Sequence, residues 1–199
     1  MKVTAIVGSY RKQGTVDTAI DAILSSARQS GAETAKIYLT DRHIEFCTNC
    51  RSCTQEKGPR RGACPLADDM QSILEEIESS DGIVLGSPVN FYTVTAVMKK
   101  FVERLVCFAW WPWGMLSPKV RAQEKSRRAV VVISSAAPSI MVRLRTGIVG
   151  LMKTAAELLG ARTIGVLTIG IAARAQKQGI SERALKKARL LGRKLVSGR

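Results

Sequence analysis

Four of the five cysteines, Cys47, Cys50, Cys53 and Cys64, fall within 18 residues in the pattern C-x2-C-x2-C-x10-C. Thiolates are soft ligands that select zinc or iron–sulfur, and three of them at two-residue intervals match the close spacing that wraps a cubane cluster. Paired CxxC motifs for tetrahedral zinc usually stand farther apart. The spacing therefore favours a 4Fe-4S cluster over zinc, with free or redox-paired thiols as the third reading. Arg51, Lys57, Arg60 and Arg61 on the same loop would offset the negative charge of four thiolates. Cys107 falls in helical period and reads as a small buried hydrophobe.

A second chemical signal is GSYRKQGT at 8–15, which follows an apolar run and precedes a helical one. Backbone N–H groups at a helix start attract an anion, and the hydroxyls of Ser9 and Thr15 and the charge of Arg11 add to that attraction. The segment matches neither GxGxxG nor GxxxxGK[ST], so a single terminal phosphate suits it better than a pyrophosphate or a triphosphate. A plain Gly-Ser turn that binds nothing is the alternative. A third signal, GSPVNFYT at 86–93, offers a stiff proline turn, backbone amides and aromatic surface to a flat polar ring through Pro88, Val89, Asn90, Phe91 and Tyr92. Phe91 and Tyr92 taken singly read equally well as cover for the helix below.

The elements that must position these segments alternate strictly. Strands are expected at Val3–Val7, Ala35–Leu39, Ile83–Leu85, Ala129–Ser134 and Thr163–Ile169. Helices are expected on the stripes Val16, Ile20, Ile23, Leu24 and Ala27; Met70, Ile73, Leu74 and Ile77, led by Asp68 and Asp69; Val97, Phe101, Val102, Leu105 and Val106; Leu144–Leu159; and about Ser181–Val196. Five strand–helix units with right-handed crossovers imply a doubly wound parallel sheet covered by helices on both faces, in an α/β class three-layer α/β/α arrangement. Ligands of such sheets bind outside the carboxyl ends of the strands, where the strand order reverses. The segments 8–15, 40–66, 86–93 and 134–139 reach that edge, so cysteines and phosphate cup are expected there together.

The 199 residues, 46% of them apolar and 24% charged, suit one domain, 1–199, carrying a cysteine-rich loop at 40–66. No run approaches the roughly 18 apolar residues of a membrane span, and the start meets Gly and Arg too early for a signal peptide, so a cytoplasmic location with reduced thiols is expected. The net charge of +15 comes from the second half: residues 1–100 hold 12 Lys/Arg and 12 Asp/Glu, residues 101–199 hold 19 and 4. That excess can steer an acidic partner such as a ferredoxin, or the phosphates of NADPH. For Arg183, Lys186, Lys187, Arg189, Arg193 and Lys194 a solvated helix face is the simpler reading. Arg143 and Arg145 are the better candidates for meeting a phosphate. Basic and aromatic residues do not interleave, which argues against a nucleic-acid-binding module. His43 is the single histidine, so a Ser-His-Asp triad or His-rich zinc site lacks material. The tryptophans of AWWPWG at 109–114 suit a subunit contact better than a wall of the ligand pocket.

With GSYRKQG, FCTNCRSCTQEKGPRRGACPLADDM and SSDGIVLGSPVNFYTVTAVMKKFVERL in this order, the chain resembles the flavodoxin-like NADPH-dependent FMN reductases, and among them the iron–sulfur flavoproteins. The resemblance spans about residues 1–170 and is tightest in the first hundred. It implies a flavodoxin-like five-stranded sheet of order 2-1-3-4-5, noncovalent FMN, and electron transfer by a homodimer or homotetramer whose contacts help to build the flavin sites. It implies that Ser9, Arg11, Gln13, Gly14 and Thr15 hold the FMN phosphate. Pro88, Val89, Asn90 and Phe91, with Ser134, Ser135 and Ala136, would contact the isoalloxazine. Cys47, Cys50, Cys53 and Cys64 would ligate the cluster, and NAD(P)H or an acidic protein would exchange electrons. A cluster-free NAD(P)H-dependent FMN or quinone reductase is the alternative. The flavin would carry the chemistry, with no catalytic acid or base among the side chains.

Overall fold

A computed structural model describes residues 1–121, 124–172 and 179–197. In chain order its elements are β1 (Lys2–Val7), α1 (Thr15–Gln29), β2 (Glu33–Tyr38), α2 (Met70–Glu78), β3 (Gly82–Pro88), α3 (Ala96–Arg104), β4 (Ala109–Trp110), β5 (Lys119–Val120), β6 (Arg127–Ser134), α4 (Ser139–Arg145), α5 (Ile148–Leu158), β7 (Ala161–Ile169) and α6 (Glu182–Ser197). Strands β2, β1, β3, β6 and β7 pair in that order, all parallel. Counted along the main sheet, this is the expected order 2-1-3-4-5 of a flavodoxin-like fold. Strand β1 sits between β2 and β3, so the chain reverses direction there and opens a crevice at its carboxyl end.

The two-residue side-chain period of β1 divides the core. Val3, Ala5 and Val7 pack with Ile20, Ile23 and Leu24 of α1 and Leu191 and Leu195 of α6. Ile6 faces the other way, into a cluster with Met70 and Ile73 of α2, Met98 and Phe101 of α3 and Met152 of α5. Helices thus cover both faces, because a central parallel strand is apolar on both sides.

Two stretches depart from the sequence expectation. The helix expected over Leu144–Leu159 is two helices, α4 and α5, separated at Thr146 and Gly147. Thr146 adopts an extended conformation and its hydroxyl donates to Val142 O at 2.6 Å, closing α4, while Gly147 opens α5. Apolar period runs across the break, which hid it, yet Leu144 is exposed and serves no core. The short antiparallel ribbon β4–β5 occupies the tryptophan segment, where no strand was expected.

At the crossing of α6 over α1, a Cβ on Gly192 would stand 2.3 Å from Ile23 O. Ser26 Oγ donates to Arg189 O at 2.8 Å in the same contact. Replacing a mid-helix glycine by alanine gains roughly 0.5–1 kcal/mol in helix propensity. Forcing an extra methyl against backbone costs about 1–3 kcal/mol. Gly192→Ala is therefore expected to lower the urea midpoint; an unchanged or raised midpoint would show that α1 and α6 part without loss.

Candidate functional site

The loops at the carboxyl edge continue the sheet's hydrogen bonding beyond the strands. Gly8 N donates to Gly86 O at 2.8 Å, Val89 N to Ser134 O at 2.8 Å, and Ser135 N to Ile169 O at 2.9 Å. Thr95, fully buried, caps α3 by accepting from Met98 N, and its hydroxyl donates to Gly8 O at 2.5 Å. Ser87 Oγ accepts from Thr95 N at 3.1 Å and donates to Pro88 O at 2.9 Å. These bonds fix the relative positions of the turns after β1, β3 and β6.

Between those turns lies a cleft of about 890 Å³, within the range of small-molecule sites. Its walls include Ser9, Arg11, Gln13, Gly14 and Thr15 from the first turn, Pro88, Val89 and Asn90 from the second, and Ser134, Ser135 and Ala136 from the third. Eleven of the twelve residues singled out for cofactor contact thus share one cavity. Phe91 does not line it. Asn90 and Thr93 exchange backbone hydrogen bonds around Phe91 (φ 43°) and Tyr92 (φ 65°). That tight turn throws the Phe91 ring outward, 99% exposed.

No side chain caps α1, whose first residues Thr15 and Val16 line the cleft. Free first-turn N–H groups and the positive helix end suit an anion. Gly14 packs against its own turn, with a hypothetical Cβ 3.1 Å from Arg11 O, leaving the backbone open to a close-fitting group. The cavity's size, its uncapped helix start and its backbone amides fit FMN. Sequence reading missed Asp17, which lies buried beneath this turn. Its carboxylate accepts from Gln13 N at 2.6 Å and from Tyr38 Oη at 3.0 Å, and pairs with Lys36 Nζ at 2.5 Å. The signal was present, since an acid three residues before Ile20 shares the apolar stripe of α1.

Cys47, Cys50, Cys53 and Cys64 converge on a second, much smaller cavity of about 20 Å³, walled also by Leu66, Arg104, Val106 and Trp111. The loop leaves the sheet after β2 and brings Cys64 to Arg104, in the last turn of α3. The donors are those that select iron–sulfur or zinc. Among the described residues, however, no three His, Cys, Asp or Glu side chains are arranged to hold a metal ion. The thiols differ in character. Hydrogen bonds from Ser52 hold Cys50 below the ordinary thiol range; burial pushes Cys53 up, as do its three neighbouring cysteines. Cys107 is buried as expected, its thiol pushed up to about 12 chiefly by that burial.

Buried arginines fasten this loop. Arg121 donates to the carbonyls of Cys53, Gly58, Cys107 and Ala109. Arg104 donates to Cys64 Sγ at 3.4 Å and Glu45 O at 2.9 Å, and forms an ion pair with Asp68, whose side chain is fully buried. Burial pushes the Asp68 carboxyl up, yet Arg104 and the N–H groups of Glu45 and Met70 together hold it below the usual carboxylate range. Arg51 lies between the rings of Trp111 and Trp113, 3.8 and 4.2 Å from their centroids, and donates to Trp111 O at 2.6 Å. The tryptophans therefore buttress the cysteine loop, and none lines the cleft. Sequence reading assigned Arg51 a charge role but missed Arg104 and Arg121. Arg104, three residues beyond Phe101, stands on the buried stripe of α3.

His43 is exposed, its Nε2 2.8 Å from Glu45. The six basic residues named on α6 are exposed, consistent with a solvated face. Arg145 is exposed on α4 and does not line the cleft; the Arg143 side chain lies outside the described residues.

A twisted parallel sheet with an uncapped helix start and amide-rich turns at its switch point defines a flavodoxin-like mononucleotide-binding fold. A profile of the NADPH-dependent FMN reductases matches residues 1–165, and the chain belongs to that family. It is 37% identical over 106 residues to an iron–sulfur flavoprotein of Archaeoglobus fulgidus, covering 53% of this chain and 46% of that one. It is 38% identical over 104 residues to an iron–sulfur flavoprotein of Methanocaldococcus jannaschii, covering 52% and 51%. The chain spans about half the length of these relatives. Solved structures share the fold: an NAD(P)H:quinone oxidoreductase from Methanothermobacter marburgensis (TM-score 0.72, 18% identity, 98% of each chain) and an FMN-dependent NADH-azoreductase from Bacillus anthracis in complex with FMN (TM-score 0.72, 13% identity, 99% and 100%). No helix among the described residues is long and apolar enough to cross a membrane.

Asp68→Asn is expected to cost about 3–5 kcal/mol near neutral pH by stranding the buried Arg104. Because the folded carboxyl titrates below its unfolded value, its contribution is complete above the unfolded value and fades as pH falls through the folded one. The stability gap between wild type and variant should therefore close in acid, and a gap independent of pH would exclude this role. In timed iodoacetamide labelling near neutral pH, Cys50 is expected to react first and Cys107 last, because the thiolate is the nucleophile; the reverse order by peptide mapping would contradict these environments.

Proposed function

We propose that this protein is an FMN-dependent oxidoreductase of the iron–sulfur flavoprotein kind, exchanging electrons with NAD(P)H or with an acidic electron-transfer protein such as a ferredoxin. One observation carries the reading: a phosphate-ready helix start and two amide-bearing turns line a single cleft of about 890 Å³. When bound, FMN takes up a hydride or two electrons and can give them back singly. Ser9, Arg11, Gly14 and Thr15 would bind its phosphate. Pro88, Val89, Asn90, Ser134, Ser135 and Ala136 would orient the ring and exclude water from one side. The family resemblance and the names of the relatives support this assignment.

Cys47, Cys50, Cys53 and Cys64 would hold a 4Fe-4S cluster, with Arg104 donating to Cys64 and offsetting charge. We infer a homodimer or homotetramer, because a second subunit would cover Phe91 and Tyr92 at the cleft rim. Reduced thiols at this loop suit the cytoplasm. The second reading, a cluster-free NAD(P)H-dependent FMN or quinone reductase, is supported by the fold shared with the NAD(P)H:quinone oxidoreductase.

Protein purified without oxygen is expected to be yellow-brown, to hold one FMN per chain, and to gain visible cluster absorbance on reconstitution with iron and sulfide. A sample that neither carries nor quenches FMN would end the proposal. Stoichiometric zinc with full NADPH–quinone turnover would move the assignment to the second reading. Arg11→Ala should weaken FMN about tenfold, the usual loss for a hydrogen bond to a charged group.

A further inference from the structure

A carboxylate under an anion-binding turn opposes the anion electrostatically, so the position of Asp17 needs a reason. Gln13 supplies one. It is a non-glycine residue in the left-handed region (φ 61°), a conformation that is strained for an ordinary side chain and persists only when its surroundings enforce it. Its N–H points inward and donates to Asp17 Oδ2 at 2.6 Å, and its carbonyl accepts from Thr18 Oγ1 at 3.4 Å. The turn is thereby pinned at its tightest residue, just before Gly14, Thr15 and Val16 enter the cleft wall. Asp17 in turn is held from three sides: by the α1 backbone, by Tyr38 Oη, and by Lys36 Nζ, which also pairs with Asp21 at 2.6 Å. Burial disfavours the charged lysine, but its hydrogen bonds to Asp17 and Asp21 outweigh this and raise its proton affinity, so the acid is matched by a cation. Lys36 and Tyr38 both lie on β2, so the platform under the turn is anchored in the sheet.

We propose that Asp17 is a positioning residue for phosphate, locking Gln13 in its left-handed turn so that the N–H groups of α1 are preorganised toward a phosphate monoester, with Lys36 cancelling its charge. The inference rests on the FMN reading of the cleft and deepens it, because it assigns the preference for the phosphorylated flavin to a residue that never touches the ligand. Positioning and plain electrostatics predict opposite signs. Removing a nearby negative charge alone would tighten FMN, whereas removing the acceptor that shapes the turn weakens it.

The test is titration of FMN and of riboflavin, followed by flavin fluorescence quenching, on the full chain and its variants. Wild type is expected to bind FMN more tightly than riboflavin. In Asp17→Ala the FMN dissociation constant should rise about tenfold with riboflavin nearly unchanged, the usual loss for one charge-assisted hydrogen bond. Asp17→Asn, which keeps an acceptor for Gln13 N but drops the charge, should stay within about twofold of wild type. In a Gln13→Gly background, Asp17→Ala should no longer weaken FMN relative to Gln13→Gly alone, since glycine adopts a positive φ unaided. Asp17→Leu fills the buried space without an acceptor and carries the same expectation as Asp17→Ala, should that variant fail to fold. Equal losses for FMN and riboflavin, tighter FMN in Asp17→Ala, or an undiminished effect of Asp17→Ala in the Gln13→Gly background would overturn the proposal. A wild type that binds riboflavin but shows no preference for FMN would overturn the phosphate cup and this inference together. A wild type that binds neither would overturn the flavin assignment itself.

Discussion

The buried hydroxyl of Thr95 is the joint on which the rest depends. A parallel sheet ends in a row of backbone groups that its strands cannot satisfy, and loops placed there must find partners or lose order. Thr95 meets that constraint at one point: it closes the α3 start, receives the turn after β1 through Gly8 O, and is tied to the turn after β3 through Ser87. The cleft is thus shaped by bonds that belong to the fold, and a ligand entering it meets turns already set. Little ordering remains to be done on binding, which is where much of the cost of recognition otherwise lies.

The same helix that begins at the cleft ends at the cysteines. Arg104 leaves the last turn of α3 and reaches Cys64 and Asp68, so the helix that Thr95 caps also anchors the cysteine loop. The electrostatics of the two candidate centres are opposed. The cleft gathers N–H groups and Arg11 for an anion, with a neutralised acid below; the thiol cavity is enclosed by arginines whose charge is committed to carbonyls, a carboxylate and sulfur.

What was legible in the sequence follows from what has a period or a fixed spacing. Strands, helix faces and the three turns could be read because alternation and apolar stripes are local, while the strand order followed from the family resemblance. The cysteines could be read as a group because they lie close in the chain. The stripe positions of Asp17 and Arg104 were visible, but their roles and that of Arg121 were not, since their partners lie 4 to 68 residues away and a charged residue on a stripe looks like an edge position until its counter-ion is placed. Phe91 was misplaced for a related reason: composition showed an aromatic after a strand, but the positive φ at two successive residues, which turns the ring outward, leaves no mark in residue type. Tyr92 shares that conformation. The split between α4 and α5 escaped because a threonine and a glycine interrupted a pattern without changing its phase.

The manner in which Arg121 grips the cysteine loop has a consequence for divergence. All four of its acceptors are main-chain carbonyls, which every residue type supplies. The loop's anchorage therefore depends on the arginine and hardly at all on which side chains occupy Gly58 or the residues around it. Drift at Gly58, where a Cβ would meet open space, should be cheap, whereas Gly62 is packed against the Cys53 backbone; the single guanidinium is nearly irreplaceable, since lysine has neither the fork nor the reach to meet four oxygens at once.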